Sequence, residues 1–258
     1  MNNFLQLPEI IDRPKDMGIN SLIDNGLATG IFCDILDSHH PLIGHVKFGW
    51  GTSLVTKDIQ QKIDACKKHE IEYFFGGTLF EKSLLQNKVD DFIAFCQFYD
   101  CKMIEISNGT IDLTNENKTA YIEKYAPMFT ILSEVGYKDN DRSKELSPKK
   151  WIEYIHQDFA AGASYVILEA RESGTSGICR ADGDLRFGLF SEVVESGVDL
   201  NRLIFEAPNK SLQTYFIDHL GPSINMGNIS PFDIIGVETL RLGLRSDTLI
   251  SMEKRHAL

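Results

Sequence analysis

The feature that most constrains the fold is a strand-like run followed by a helical segment, repeated eight times along the chain. The runs are rich in β-branched and aromatic residues, and the segments between them carry apolar residues at helical spacing, as Ile59, Ile63 and Cys66 do. The eight runs lie at residues 19–24, 45–48, 73–75, 103–107, 130–135, 165–170, 203–207 and 223–226. No linker divides them, so we predict one α/β domain over residues 1–258, a TIM-type (β/α)8 barrel. A doubly wound open sheet has the same alternation and is the structural alternative.

Composition excludes several classes of partner and site. The net charge of -11 disfavours nucleic acid and anionic membrane surfaces as partners. No signal peptide and no run of ~18 apolar residues is present, which predicts a cytoplasmic protein. The five cysteines include no C-x-x-C pair, so they predict reduced packing thiols rather than a disulfide framework or a zinc site.

Charged residues stand where several strands are predicted to end. In either architecture ligands bind at the carboxyl ends of the strands. Four consecutive runs end in a glutamate, and these are Glu105, Glu134, Glu169 and Glu206. One such residue would be explained by a structural ion pair, but four at corresponding positions require a cation or shared protons. Oxygen ligands without His or Cys neighbours suit Mg2+ better than zinc.

Glycine-rich turns follow several of the same runs. They lie at residues 48–53, 75–81, 172–177 and 225–230, and the last opens a helix capped by Ser230. Such turns expose backbone N–H groups that bind anions. Together with Lys47 and Arg171 they indicate a phosphorylated substrate. By contrast, Arg241 and Arg245 lie too far along the last helix to reach this face, and we assign them to stability or subunit contacts.

Seven motifs then resemble one known family, in order and spacing. They read VKFGWGTS, GGTLFE, IEISNGTI, SEVGYKD, EARESGTSGI, IFEAP and VETLRLGLRSDT. The chain resembles the phosphosulfolactate synthase family from about residue 13 to 249. This resemblance implies a lyase that uses Mg2+ to add sulfite to phosphoenolpyruvate, giving (2R)-3-phosphosulfolactate, in coenzyme M or sulfolactate biosynthesis.

The resemblance and the chemistry together imply roles for individual residues. The metal would be held by Glu105, Glu134 and Glu169. The catalytic residues would be Lys47, Lys138 and Glu206, with Lys138 as the proton donor, its pKa lowered by cationic neighbours. The substrate would be bound by Arg171, Glu172, Ser173, Asn225, Gly227 and Asn228.

The chain departs from the family pattern at Gly44, at Tyr137 and near Lys15, where the family usually has an Arg, and other functions stay open. Gly44 stands where the family usually has Asp, and Tyr137 where it usually has Lys. One alternative is another Mg2+-dependent lyase or aldolase acting on a phosphorylated acid, for which Lys47 would form a Schiff base. The other is a non-catalytic, stress-associated barrel of the same family. The expected partners are small molecules, and a homo-oligomer is compatible with the sequence.

Overall fold

The computed structural model describes residues 4–5, 7, 17–170, 176–180 and 182–256. Its strands are β1 Asn20–Asp24, β2 His45–Phe48, β3 Glu72–Phe75, β4 Met103–Ile106, β5 Thr130–Val135, β6 Tyr165–Leu168, β7 Leu203–Glu206 and β8 Met226–Ile229. Its helices are α1 Thr29–His39, α2 Ile59–Lys68, α3 Gly77–Leu85, α4 Val89–Phe98, α5 Asn115–Tyr125, α6 Asn140–Glu145, α7 Pro148–Ala160, α8 Phe187–Glu195, α9 Lys210–Leu220, α10 Ile234–Arg241 and α11 Leu249–His256. No described helix is both long enough and apolar enough to cross a bilayer.

The strands form a nearly closed parallel barrel. Their hydrogen-bonded order is β3-β2-β1-β8-β7-β6-β5-β4, and β3 and β4, at the two ends of this order, lie against each other. Neighbours in the sheet are thus neighbours in the chain, apart from β1 and β8, the first and last strands, which pair with each other. The order does not reverse at any point, so the predicted (β/α)8 barrel is confirmed and the doubly wound alternative is wrong.

The apolar residues pack in two places because successive strand residues point to opposite faces. The larger core lies between the strands and the surrounding helices. A smaller cluster fills the barrel itself and consists of Phe74, Met103, Leu132, Ile167 and Ile204. These five residues, from strands β3 to β7, fill the barrel interior below the carboxyl ends of the strands.

The eighth strand differs from the prediction. The sequence predicts a strand over residues 223–226, whereas β8 begins at Met226. Asn225 precedes β8 at the amino end of the barrel, where its Oδ1 accepts from the backbone of Ile19 at 2.9 Å and its Nδ2 donates to the carbonyl of Asn201 at 2.7 Å. The segment Met-Gly-Asn-Ile carries only one β-branched residue, so its sequence gives little strand signal.

The amino end of the barrel contains contacts of the stabilising kind predicted for Arg241, which lies on α10. Arg241 is fully buried and donates to the carbonyl of Ile224 and to Oδ1 of Asn20, each at 2.8 Å, and also to the carbonyl of Pro222. It therefore ties α10 to the loop before β8 and to β1. The structure agrees with a structural role for this arginine.

Candidate active site

A set of charged side chains lies inside the barrel, toward the carboxyl ends of the strands that carry its apolar cluster. On four strands an inward apolar residue is followed two positions later by a glutamate: Met103 by Glu105, Leu132 by Glu134, Ile167 by Glu169 and Ile204 by Glu206. The period of two keeps both residues on the inner face. All four glutamates are at most 1% exposed. We call these four residues the carboxylate layer.

Two lysines reach into the carboxylate layer from neighbouring elements. Lys47 of β2 places its Nζ 3.0 Å from Glu105 Oε2 and 3.5 Å from Glu206 Oε1. Lys138, in the loop after β5, places its Nζ 3.3 Å from Glu134 Oε1 and 3.5 Å from Glu169 Oε2. Four carboxylates and two ammonium groups leave two negative charges when all are ionised. One divalent cation would balance them.

Burial and neighbouring charges shift the pKa values of these carboxyls in different directions. Burial raises the pKa of Glu105 to about 7 despite the opposing charge of Lys47. Burial, together with Glu206 and Glu134, raises the pKa of Glu169 well above its usual range. Glu134 is also buried, but Lys138, Lys47 and a hydrogen bond from Glu169 outweigh that burial and lower its pKa to about 2. The layer therefore binds protons near neutral pH unless a cation replaces them.

Three members of the layer lie close enough together to hold a metal ion. Glu134, Glu169 and Glu206 each offer a carboxylate oxygen, and these oxygens lie within 4.8 Å of one another. A hard, all-oxygen donor set of this kind fits Mg2+. This trio shares Glu134 and Glu169 with the predicted set of Glu105, Glu134 and Glu169, and it contains Glu206, predicted to be catalytic, in place of Glu105. The metal ligands stay a prediction.

A cavity of about 520 Å³ opens above the layer at the carboxyl end of the barrel. Five residues predicted to be functional line it, namely Lys47, Lys138, Glu169, Glu206 and Asn228. The sequence prediction missed Trp50, Thr78, Thr110 and Asp139, which also line it. Two of them could have been found from the sequence, because Trp50 and Thr78 belong to the glycine-rich turns after β2 and β3.

The predicted substrate-binding residues have three different outcomes. Arg171, Glu172 and Ser173 lie outside the described residues, so their roles stay predictions. The structure contradicts a binding role for Asn225, because that side chain is bound at the opposite end of the barrel. Gly227 faces the interior, where an added Cβ would lie 3.0 Å from Ile204 Cγ2, so it is part of the wall below the cavity.

Asn228 reaches the cavity through an irregularity in β8. Asn20 of β1 pairs with Met226 and Leu22 with Ile229, so β8 contains one extra residue between these pairs, a β-bulge. Asn228 has a φ of 53°, in the left-handed region. The residue is 9% exposed and its Oδ1 has no hydrogen-bond partner among the described residues. The bulge thus directs a buried amide toward the cavity.

A buried glutamate on α3 positions part of the cavity wall and was also missed. Glu81 accepts from Ser107 Oγ at 2.5 Å and from the backbone N–H groups of Gly109, Thr110 and Ile111 at 3.1, 2.9 and 3.1 Å. These bonds fix the loop after β4, which carries Thr110. Gly109 in this loop packs so closely that an added Cβ would lie 3.0 Å from Oε1 of Glu134. Glu81 therefore supports the carboxylate layer indirectly.

The surroundings of Lys138 differ from the prediction. Burial alone would lower its pKa, but Glu134, Glu169 and the other two carboxylates outweigh burial and raise the pKa well above its usual range. The predicted lowering by cationic neighbours is wrong for the protein by itself, because the nearest charges are negative. The adjacent Tyr137 stacks with the guanidinium of Arg142, whose Cζ lies 4.1 Å from the ring centre, and Tyr137 is not part of the cavity lining.

Comparison with known proteins places this chain in a family. Residues 8–247 match the family model described as (2R)-phospho-3-sulfolactate synthase. A phosphosulfolactate synthase of Bacillus subtilis (strain 168) is 51% identical over 249 residues, which cover 96% of this chain and 99% of that protein. One from Methanothermobacter thermautotrophicus is 38% identical and covers 92% of this chain and 93% of its own length. The crystal structure of the YdjI aldolase from Escherichia coli K12 has a TM-score of 0.55 at 12% identity, covering 93% of this chain and 90% of that one, and shows the fold alone.

Proposed function

Since this chain belongs to the (2R)-phospho-3-sulfolactate synthase family, we propose that it is a lyase-class enzyme that adds sulfite to phosphoenolpyruvate and requires Mg2+. The observation that carries the proposal is the carboxylate layer with its two lysines. It provides a cation site and two ammonium groups on one cavity, which suits a reaction between two anions. The bond formed joins sulfur to C3, and a proton is then added at C2.

The metal would be held by Glu134, Glu169 and Glu206, whose oxygens lie within 4.8 Å of one another. When bound there, Mg2+ supplies concentrated positive charge where electrons move into the substrate carboxylate. The protein's own contribution is to hold the three carboxylates rigidly. Lys138 and Lys47 keep Glu134 ionised, and the Ala170 N–H donates to Glu206 Oε2 at 2.9 Å, which fixes that ligand's orientation.

The two lysines neutralise and orient the anions. The carboxylates raise the pKa values of both Lys47 and Lys138, so both stay protonated near neutral pH. Once a divalent cation balances the surplus negative charge of the layer, the two protonated lysines would offset the mutual repulsion of sulfite and phosphoenolpyruvate in the cavity. Lys138, on the cavity wall, would donate the proton to C2 after sulfite adds to C3. A protonated Lys47 is a poor Schiff-base former, which disfavours the aldolase alternative.

Neutral donors would complete the binding of the phosphate. Asn228 carries an amide that faces the cavity, and Thr78 and Thr110 carry hydroxyls on its wall. Lys47 lies beside Gly76, where an added Cβ would be 3.2 Å from the lysine Cε. The glycine therefore keeps the turn after β3 close to a positive charge, as a phosphate site requires.

The test is product formation from sulfite and phosphoenolpyruvate. Phosphorus NMR and mass spectrometry should detect phosphosulfolactate with Mg2+, and the product should disappear in chelator and return when Mg2+ is restored. Glu134→Gln should lose product while remaining folded, and Glu153→Gln, a change at a half-exposed position on α7, is the matched control. Absence of product in a folded, Mg2+-supplied sample would contradict the proposal and favour the non-catalytic alternative. Full activity in chelator would contradict the metal requirement.

A further inference from the structure

Strained backbone marks two positions on the cavity wall. Five non-glycine residues in the described part of the chain have a positive φ. Glu70, Asn87 and Asp100 each follow the end of a helix, where this conformation is common. The other two, Trp50 and Asn228, both line the cavity. A bulky residue in the left-handed region is an outlier, and such outliers cluster at ligand sites.

Trp50 is strained and also exposed. It has φ 54° and ψ 21°, and the next residue, Gly51, has φ 67° and ψ 19°. The Trp50 side chain is 54% exposed. Its indole N–H has no hydrogen-bond partner among the described residues. An aromatic ring held in an unfavourable backbone conformation without being buried has no evident stabilising role in the protein alone.

Local contacts hold this conformation in place. The hydroxyl of Thr52 donates to the carbonyl of Gly49 at 2.8 Å, which closes the turn around Trp50 and Gly51. Gly49 is packed so tightly that an added Cβ would lie 2.8 Å from Ile23 Cδ1. The turn is thus anchored at both ends to the rim of the barrel, and Trp50 is the residue that it presents to the cavity.

We propose that Trp50 is a substrate-contact residue that covers the mouth of the cavity when a small anion with an unsaturated carbon is bound. This inference rests on the proposed function, with phosphoenolpyruvate as that anion. The flat apolar face of indole suits the vinyl group, and its N–H is a donor for an anionic oxygen. Covering the mouth would also exclude water while charge accumulates on the substrate.

Tryptophan fluorescence tests the contact directly, because the chain has two tryptophans and Trp151 is fully buried. Phosphoenolpyruvate is titrated with Mg2+ but without sulfite, so that no turnover occurs, and acrylamide is the quencher because it does not compete as an anion. We expect a blue shift and reduced quenching in the wild type, and neither change in Trp50→Phe. Calorimetry on the same samples measures binding independently.

The outcomes separate this inference from the proposed function. If calorimetry shows binding and the wild-type spectrum does not change, or if Trp50→Phe changes equally, Trp50 is not a contact and the inference is wrong. If phosphoenolpyruvate does not bind and no product forms, the proposed function is wrong and the inference with it.

Two variants distinguish a contact from a structural role. Trp50→Phe removes the N–H donor and keeps an aromatic ring, whereas Trp50→Gly removes the ring and relieves the left-handed backbone. We expect the KM for phosphoenolpyruvate to rise a few-fold in Trp50→Phe and by about ten-fold or more in Trp50→Gly. The Tm of Trp50→Gly should equal or exceed that of the wild type. An unchanged KM with a lowered Tm would overturn the inference and make Trp50 structural.

Discussion

Two kinds of buried lysine–carboxylate groups lie in this barrel, and they differ in charge balance. Outside the cavity, Lys62 pairs with Asp24 at 2.5 Å and Lys118 with Asp158 at 2.7 Å. We call these the outer pairs. Their side chains are at most 1% exposed, and each lysine also donates to a backbone carbonyl, at 2.7 and 2.8 Å. Each outer pair is neutral and well hydrogen-bonded, as a buried ion pair must be to persist.

The carboxylate layer contrasts with the outer pairs in each of these properties. It has four carboxylates for two lysines, its closest ion-pair contacts span 3.0 to 3.5 Å, and it opens to a cavity. Folding alone gains nothing from two surplus negative charges in a buried site. The difference shows that burial of charge does not by itself indicate function, whereas an uncompensated charge beside a cavity does.

The first prediction tests the outer pairs and has the largest expected effect on stability. Asp158→Asn leaves Lys118 buried without a counter-ion, so the free energy of unfolding should fall by about 3–5 kcal/mol. Asp141→Asn is the matched control, because Asp141 forms an ion pair with Lys144 in which the side chains are 89% and 71% exposed. Urea denaturation of both variants measures the difference. If Asp158→Asn lowers the free energy of unfolding no more than Asp141→Asn does, the outer pairs do not stabilise the fold in this way.

The second prediction concerns Lys138 in the cavity. Lys138→Ala should reduce kcat by about 10² to 10⁴, the usual range for one positioned acid. Its Tm should also fall, because the variant raises the surplus negative charge of the layer from two to three, so kcat is measured at a temperature where the variant is folded. Tyr137→Phe is the matched comparison and should have a nearly normal kcat, because Tyr137 stacks with Arg142 rather than lining the cavity. A nearly normal Lys138→Ala beside an inactive Tyr137→Phe would transfer the acid role to the tyrosine.

The third prediction concerns pH and removal of metal. The folded pKa of Glu105 is about 7, above its ordinary value of 4.5 in an unfolded chain, so the folded state binds this proton more tightly than the unfolded state does. Stability from this group is fully present below pH 4.5 and is lost as pH rises through 7. In chelator the free energy of unfolding should therefore fall by about 1–3 kcal/mol between pH 5 and pH 8.

Thermal unfolding in chelator at several pH values measures this loss. Glu105→Gln should weaken the pH dependence, and Mg2+ should raise the Tm most at the alkaline end, where it replaces the lost protons. The opposite shift of Glu134, to about 2, acts only in more acidic solution and does not affect this window. A Tm that stays level or rises toward pH 8 in chelator would show that the layer is not strained by its surplus charge.

The sequence predicted the barrel and the carboxylate layer because both follow from local spacing. The pattern of an apolar residue followed two positions later by Glu, as in Leu132 and Glu134, is visible without coordinates, and parallel strands bring such positions to one end. The convergence of Glu134, Glu169 and Glu206 was not predictable in the same way. It depends on side-chain positions inside the barrel, which spacing along the chain does not reveal.

The errors at the eighth strand have a related cause. Residues 223–226 contain Ile224 and resemble a strand, whereas the observed β8 contains a glycine and a bulge that no local pattern predicts. A shift of three residues along a strand is about 10 Å, enough to move Asn225 from one end of the barrel to the other. Asn228, on the other side of that shift, lines the cavity, and its role in binding substrate stays a prediction.

The last prediction, with the smallest effect, concerns Glu81, which is buried like the carboxylate layer but hydrogen-bonded like the outer pairs. Glu81→Gln keeps the size of the side chain but replaces one acceptor oxygen with a donor, so it cannot accept from Thr110 and Ile111 while keeping its bonds to Ser107 and Gly109. The loop after β4 should then loosen beside Glu134. We expect kcat to fall by about ten-fold, the lower range for residues that support metal ligands, together with weaker Mg2+ activation. Glu116→Gln, on the exposed face of α5, is the control. If kcat and the Mg2+ requirement stay at wild-type values while only the Tm falls, Glu81 belongs with the outer pairs as a purely structural group.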